Sequence, residues 1–407
     1  MARKKQLIVR ASQLFDGERF HTKKTIVIEG DRIVDVVSKN MKSDFEGIVT
    51  PAFIDPHSHI GMFRSGEPES ESEGNDSIHQ IRPNHDPLNA VYFDDRTFQD
   101  AVDFGVLYSC IIPGSGNLFG GISKVIRNFA SNRSDAELCR LGYKMALGFN
   151  PRSTRSWQGE RPSTRMGVYA MLERHFDDVL QKFERETLEL ERKKQEVLEK
   201  KELASNAREE KIAALDKEFN LKFTTDESAL LDALSGEPLV KVHVHKEDDV
   251  LYLLELKERY GLRITAEHLI DVRDIEIFRA CAREGVSIVY GPIGCYNYKT
   301  ELKHGFYQNV EVLRKSKAFF GLMTDHPVIH ATALRDSLKY LLISGASSEE
   351  ALATITQRNA EVLDLGDYLG RVAPNYLASI LVWKSDPLHL SSIPSVVIGE
   401  GQVLRKG

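Results

Sequence analysis

"GIVTPAFIDPHSHIGMF", residues 47 to 63, begins as a buried strand and ends with two histidines one residue apart. Ile48, Val49, Phe53 and Ile54 give the run its apolar body, and Asp55, His57 and His59 stand at its tip. Successive side chains on a strand point to opposite faces, so His57 and His59 project together. Alone, such a pair reads as chance, as a turn or as half of a metal site.

Outward from this stretch, strand and helix alternate. "DRTFQDAVDFG" has a helical pattern, "VLYSCIIPGSG" reads as a strand, and "SKVIRNFAS" reads as a short helix. Further on, "PLVKVHVH" precedes the helical "KEDDVLYLLELKERYG", and "LRITAEHL" precedes the helical "VRDIEIFRACAREG". "VSIVYGP", "FFGLMTDHPV" and the helical "ATALRDSLKYLLISG" complete the series. Such alternation implies parallel strands joined by crossover helices, in a barrel or an open doubly wound sheet. Polar residues gather where these strands end, which favours an α/β fold of the (β/α)8 TIM-like barrel type.

Both ends of the chain read differently. "QLIVRAS" and "KTIVIEGDRIVDVVS" near the start, and "ASILVWK" and "SVVIGEGQVLRKG" near the finish, are short strands with turn signals between them. The expected organisation is a β-sandwich built from residues 1–50 plus 373–407 beside a barrel over 51–372. From about Phe176 to Phe223 the sequence is dense in charge and helix formers, with apolar residues at three- and four-residue steps. This pattern predicts a helical hairpin inserted in the barrel, with a narrow apolar seam and a solvated charged face.

Composition narrows the function classes. The chain has 407 residues, 42% of them hydrophobic, and a net charge of -6, so no global attraction to nucleic acid is expected. Four cysteines lie far apart without a CxxC pair, as in a reducing cytoplasm. The start, "MARKKQLIVR", is too polar for a signal peptide, and no run approaches the ~18 apolar residues of a membrane helix. A cytoplasmic protein acting on a small molecule, without membrane or nucleic-acid partners, is the expectation.

Three later motifs bear on the histidine pair. "KVHVH" places His243 and His245 on one face at a second strand end, "ITAEHL" ends a third strand with His268, and "GLMTDHP" ends a fourth with Asp325. Imidazole nitrogens with a carboxylate form the ligand set of a catalytic zinc-type site that leaves one position open.

These four motifs, in this order, resemble the amidohydrolase superfamily, in the imidazolonepropionase-like branch of metal-dependent hydrolases. The resemblance spans nearly the whole chain and implies a barrel beside a composite β-sandwich. It implies His57 and His59 as first-strand ligands, His243 as the fifth-strand ligand, His268 as the sixth and Asp325 as the eighth-strand acid, with His245 as substitute for His243. The cofactor implied is one or two divalent ions, zinc foremost, with iron, manganese or nickel as alternatives. Lys144, in "GYKMALGFNP", reads either as a carbamylated ligand of a second ion or as an ordinary barrel lysine. The implied reaction is hydrolysis of a small or cyclic amide, a C–N bond other than an ordinary peptide bond. In it Asp325 takes a proton from water and hands it to the leaving amine, while His268 or the ion polarises the carbonyl.

The sequence also departs from that pattern. Phe149 stands where an acid is expected, which weakens the case for a second ion, and Lys246 replaces a glutamate, which lowers deamination and imidazolone opening. A non-catalytic assembly protein on the same barrel, using the charged hairpin as contact surface in a homo-oligomer, is the reading from another class; a deaminase is a third. Ser115 and Asn117, in the glycine-rich "IIPGSGNLFGG", read as substrate contacts or as a tight loop. Arg152, Arg155, Arg161 and Arg165 cluster in "NPRSTRSWQGERPSTRMG", and Arg165 reads as a clamp for a substrate carboxylate or as a solvated residue before a helix.

Overall fold

The computed structural model describes residues 6–154, 156–200, 202–295 and 299–407. Arg155 and the first five residues of the terminal module lie outside the described residues. Strands β1 (Gln6–Phe15), β2 (Phe20–Glu29), β3 (Arg32–Val37), β4 (Phe45–Pro51), β5 (Phe53–Ser58), β6 (Val106–Ile111) and β7 (Phe119–Arg127) come first along the chain. They are followed by β8 (Glu137–Ala146), β9 (Leu239–Val244), β10 (Arg263–His268), β11 (Ser287–Tyr290), β12 (Phe320–Leu322), β13 (Ile380–Trp383), β14 (Val396–Gly399) and β15 (Gln402–Lys406).

Strands β5 to β12 form an eight-stranded sheet in chain order, which curls into a nearly closed barrel. Its first and last strands are laced beyond their tips: the Asp325 N–H donates to His57 O at 3.2 Å, and the His59 N–H donates to His326 O at 3.0 Å. A separate seven-stranded sheet has the order β15-β14-β13-β4-β1-β2-β3, so it draws on both ends of the chain. Val9, Ile26, Val49, Ile380 and Ile398 are among the residues of its own apolar core.

The decisive run at 47–63 serves both sheets. Its apolar body reads as one strand, but the structure makes it two: β4 pairs with β1 and β13 in the terminal sheet, and β5 pairs with β6 in the barrel. Only Ala52 separates them, and its N–H donates to Ser379 O at 2.9 Å.

The barrel departs from eight parallel strands. β7 runs antiparallel to both β6 and β8. The segment "SKVIRNFAS", whose pattern suggests a short helix, begins inside β7, where Ile122, Val125 and Ile126 favour extended backbone. Antiparallel neighbours need no crossover helix, which is why strands succeed one another so closely between Val106 and Ala146.

The helical insertion also starts earlier than the charge pattern suggests. One 35-residue helix, Arg165–Glu199, begins against the barrel and then runs outward. Its buried residues, Val168, Met171, Leu172, Phe176 and Val179, all lie in the first half, while Leu188 is 62% exposed. The outer half pairs with the helix Ser205–Asn220 through the Phe183–Phe219 contact, with ring centroids 5.8 Å apart, and through a Lys193–Glu218 ion pair at 3.1 Å. Among the described residues no helix is long and apolar enough to cross a membrane.

This division of the long helix is open to measurement. Phe176→Ala should lower unfolding free energy by about 3–5 kcal/mol, whereas Leu188→Ala should change it by less than ~0.5 kcal/mol, as read from urea denaturation midpoints.

Candidate metal centre

Two strands place their functional side chains by simple alternation. On β9, Lys241 and His243 share the inward face, and His245 continues it just past the strand end. On β5 the same period carries Asp55 and His57, with His59 beyond. The other two tips depart from alternation. Residues His268 and Asp325 have φ of 79° and 52°, left-handed backbone that ordinary residues adopt at a cost of about 1–3 kcal/mol. At β10 alternation gives the inward position to Glu267, and the turn at His268 brings the adjacent imidazole to the mouth as well.

The tips bring six side chains into two groups. His57, His59 and Asp325 each offer a ligand atom within 4.8 Å of the others, and so do His243, His245 and His268. Asp325 Oδ1 lies 3.3 Å from His57 Nε2 and 3.2 Å from His59 Nε2. The groups adjoin: the His57 and His268 ring centroids are 4.8 Å apart, and Asp325 Oδ2 is 3.9 Å from His268 Nδ1. Beside them opens a cavity of about 260 Å3, lined by His59, His243, His245, His268 and Asp325 together with Ser115, Asn150 and Lys299.

Hydrogen bonds fix how the rings present themselves. His59 Nδ1 lies 2.8 Å from Ile112 O and His268 Nδ1 lies 2.9 Å from Gly291 O. A carbonyl only accepts, so both Nδ1 atoms carry the proton and both Nε2 lone pairs are left to the site. His57 Nδ1 lies 2.8 Å from Glu267 Oε2, which gives His57 the same orientation. The other carboxylate oxygen, Glu267 Oε1, takes a bond from Lys241 Nζ at 2.9 Å and another from Thr265. His57, Lys241 and Glu267 are all at most 1% exposed.

Burial dominates the electrostatics. It depresses the basicity of His59, and holds His243, His245 and His268 well below the ordinary histidine range, so these rings are neutral near pH 7. Burial also opposes the charge on Asp325, but the adjoining His57, His59 and His268 rings outweigh it and keep this carboxyl well below the usual range. For Glu267, burial is likewise outweighed, here by the Lys241 cation and the His57 bond, and its pKa falls to about 2. Burial drives the Lys144 amine down to about 8 and, despite hydrogen bonds from Thr324, pushes the Asp55 carboxyl up to about 6.

The donor set suits a divalent cation. His243 Nε2, His245 Nδ1 and His268 Nε2 are buried without a hydrogen-bond partner, and so is Lys144 Nζ. Buried polar atoms left bare cost free energy unless something else satisfies them. Neutral imidazoles with outward lone pairs and one ionised carboxylate are what such an ion binds.

The other expected site residues are distributed unevenly. Ser115 lines the cavity, and its Oγ accepts from Asn150 Nδ2 at 2.5 Å. Asn117 does not line it: its amide is spent on Asp76 O and His79 O, both at 2.7 Å, which braces the loop above β5. Arg165 is also absent from the described lining; its guanidinium pairs with Asp248 at 3.2 Å and Asp249 at 3.3 Å. Glu247, the acid beside Lys246, is half-buried and accepts the backbone N–H groups of Arg273 and Asp274.

Sequence reading passes over Glu267 and Lys241, although both sit inside the quoted motifs. Alternation is the available signal: Lys241 shares a face with His243, and Glu267 occupies the inward position of β10. Nothing in the spacing reveals that a left-handed turn places His268 beside them.

The Lys241–Glu267 pair gives a stability prediction. Glu267→Gln should cost about 3–5 kcal/mol by leaving a buried ammonium without its counter-charge. Adding Lys241→Met to that variant should recover most of the loss in chemical denaturation.

Residues 239–404 match the model of the amidohydrolase family. The chain is 25% identical over 372 residues to the amidohydrolase tasK of Hapsidospora irregularis, covering 87% of this chain but only about a third (36%) of that protein's length. Its fold is similar to that of an amidohydrolase from Thermotoga maritima MSB8, with a TM-score of 0.86 and 24% identity over 98% of this chain and 100% of the other. A Xaa-Pro dipeptidase structure aligns over 98% of this chain and 100% of its own with a TM-score of 0.58 and 13% identity. With candidate ligands clustered at its strand ends, this chain is similar to amidohydrolases, through the family model over residues 239–404 and through its fold over nearly the whole chain.

Proposed function

We propose that the protein is a metal-dependent hydrolase of C–N bonds whose substrate is a small amide, open-chain or cyclic. The observation that carries this reading is the convergence of five buried imidazoles and the Asp325 carboxylate beside one cavity at the barrel mouth. His57, His59 and Asp325 would hold one divalent ion, and His243, His245 and His268 a second; zinc is the first candidate. Lys144, buried with a bare Nζ, is a further donor on β8, between strands β7 and β9. A divalent cation bound there supplies Lewis acidity, polarising a carbonyl and making water more acidic.

The chain's own residues divide the remaining work. Asp325 Oδ1 lies beside the Nε2 lone pairs of His57 and His59, where an ion would sit, leaving Oδ2 as the oxygen to accept a proton from the attacking water and return it to the leaving nitrogen. Glu267 and the carbonyls of Ile112 and Gly291 lock three rings in one tautomer, so that no reorientation is needed during reaction. A cavity of about 260 Å3 suits a small amide better than a peptide chain.

The test combines metal analysis with a substrate screen of cyclic amides, N-acyl amino acids and dipeptides. Chelation should abolish turnover, and zinc or manganese should restore it. Asp325→Asn should retain metal within about twofold yet lose a factor of about 10²–10⁴ in kcat. Undiminished turnover in that variant would remove Asp325 as the proton carrier, and full activity in metal-free protein would end the metal-dependent hydrolase reading.

A further inference from the structure

The two ligand groups differ in charge. The first contains Asp325, whereas the second consists of three neutral imidazoles. Two lysines stand near the second: Lys144 is buried beneath the site, and Lys299 lines the cavity. A dication among three neutral imidazoles beside the Lys299 ammonium would be poorly compensated, because an uncompensated buried charge is costly.

Besides Asp325, whose Oδ2 lies 3.9 Å from His268 Nδ1, a second carboxylate reaches this region and belongs to neither group. Glu301 lies in the connection between β11 and β12 and is 4% exposed. Its Oε1 lies 4.0 Å from His243 Nε2, the ring atom that has no hydrogen-bond partner. That separation is too long for a hydrogen bond, so the carboxylate faces the bare ring nitrogen without bonding to it.

Several contacts hold Glu301 there. Oε2 accepts the Phe149 N–H at 2.7 Å, and Oε1 pairs with Lys299 Nζ at 2.8 Å. Lys299 is steadied in turn by Asn150 Oδ1 at 2.8 Å. Residue 148 is glycine with φ of 78°, and a Cβ there would stand 2.7 Å from Glu301 Oε2. Glycine at this position therefore leaves room for the carboxylate as well as permitting the turn.

We propose that Glu301 is the counter-charge of the His243–His245–His268 cluster, a positioning residue that strengthens cation binding there from outside the set of imidazole ligands. The proposal rests on the reading that this cluster binds a divalent cation. It makes Glu301 and its partner Lys299 part of the centre and gives the second ligand group a carboxylate of its own.

Zinc binding to the metal-stripped full-length protein, measured by competition with a chromophoric chelator, tests this without recourse to activity. The wild type should take up two equivalents. Glu301→Gln, which keeps an acceptor for the Phe149 N–H but removes the charge, should weaken one equivalent at least tenfold and leave the other within twofold. Glu301→Asp, which keeps the charge, should stay within about threefold of the wild type. Wild-type affinity in Glu301→Gln, at one equivalent or two, overturns the proposal, and so does an equal loss in Gln and Asp variants, which would assign Glu301 a role in shape alone. If the wild type itself binds no zinc, the hydrolase reading falls first and this inference with it.

Discussion

The centre depends on a single buried carboxylate. Glu267 joins β10 to β9 through Lys241 and to β5 through His57, so one side chain ties together three strands that carry the clustered histidines. It also performs two electrostatic tasks. It neutralises an ammonium that has no access to water, and it fixes the tautomer of His57 so that the ring's lone pair faces Asp325. Taking both ions out of water is expensive, and bonds to Thr265 and His57 as well as Lys241 are what make the arrangement tolerable.

Much of this was legible in the amino-acid sequence, for a physical reason. Alternation on a strand is a rigid geometric rule, and it placed His57 with His59 and His243 with His245 on shared faces. The barrel and the separate terminal sheet also followed from patterning, because buried strands and amphipathic helices have different periods. What failed was local. The strand-helix-strand rhythm hid the reversed strand β7, since a short β-branched stretch fits either helix or strand until its partners are known. Arg165 read as a clamp or a solvated residue, and Asn117 as a substrate contact or part of a tight loop, because composition says nothing of direction; in the folded chain they bond to Asp248 and to loop carbonyls.

Grouping of the ligands was the other feature beyond reach. The motifs left one ion or two open, and in the folded chain the six candidate side chains lie in two adjoining triads. The sorting follows from the left-handed turns at His268 and Asp325, which swing one ring toward β9 and one carboxylate toward β5. Backbone of this kind is not fixed by residue identity, because histidine and aspartate enter it more readily than most residues but far less often than glycine.

The single residue between β4 and β5 has a mechanical consequence. With Ala52 pinned to Ser379 and strands running directly into it from both sides, there is no slack in which the two sheets could swivel. The chain's two extremities therefore act as a tether on His57: torque or fraying in the terminal sheet is transmitted along one continuous backbone to an imidazole that must hold its place to fractions of an ångström.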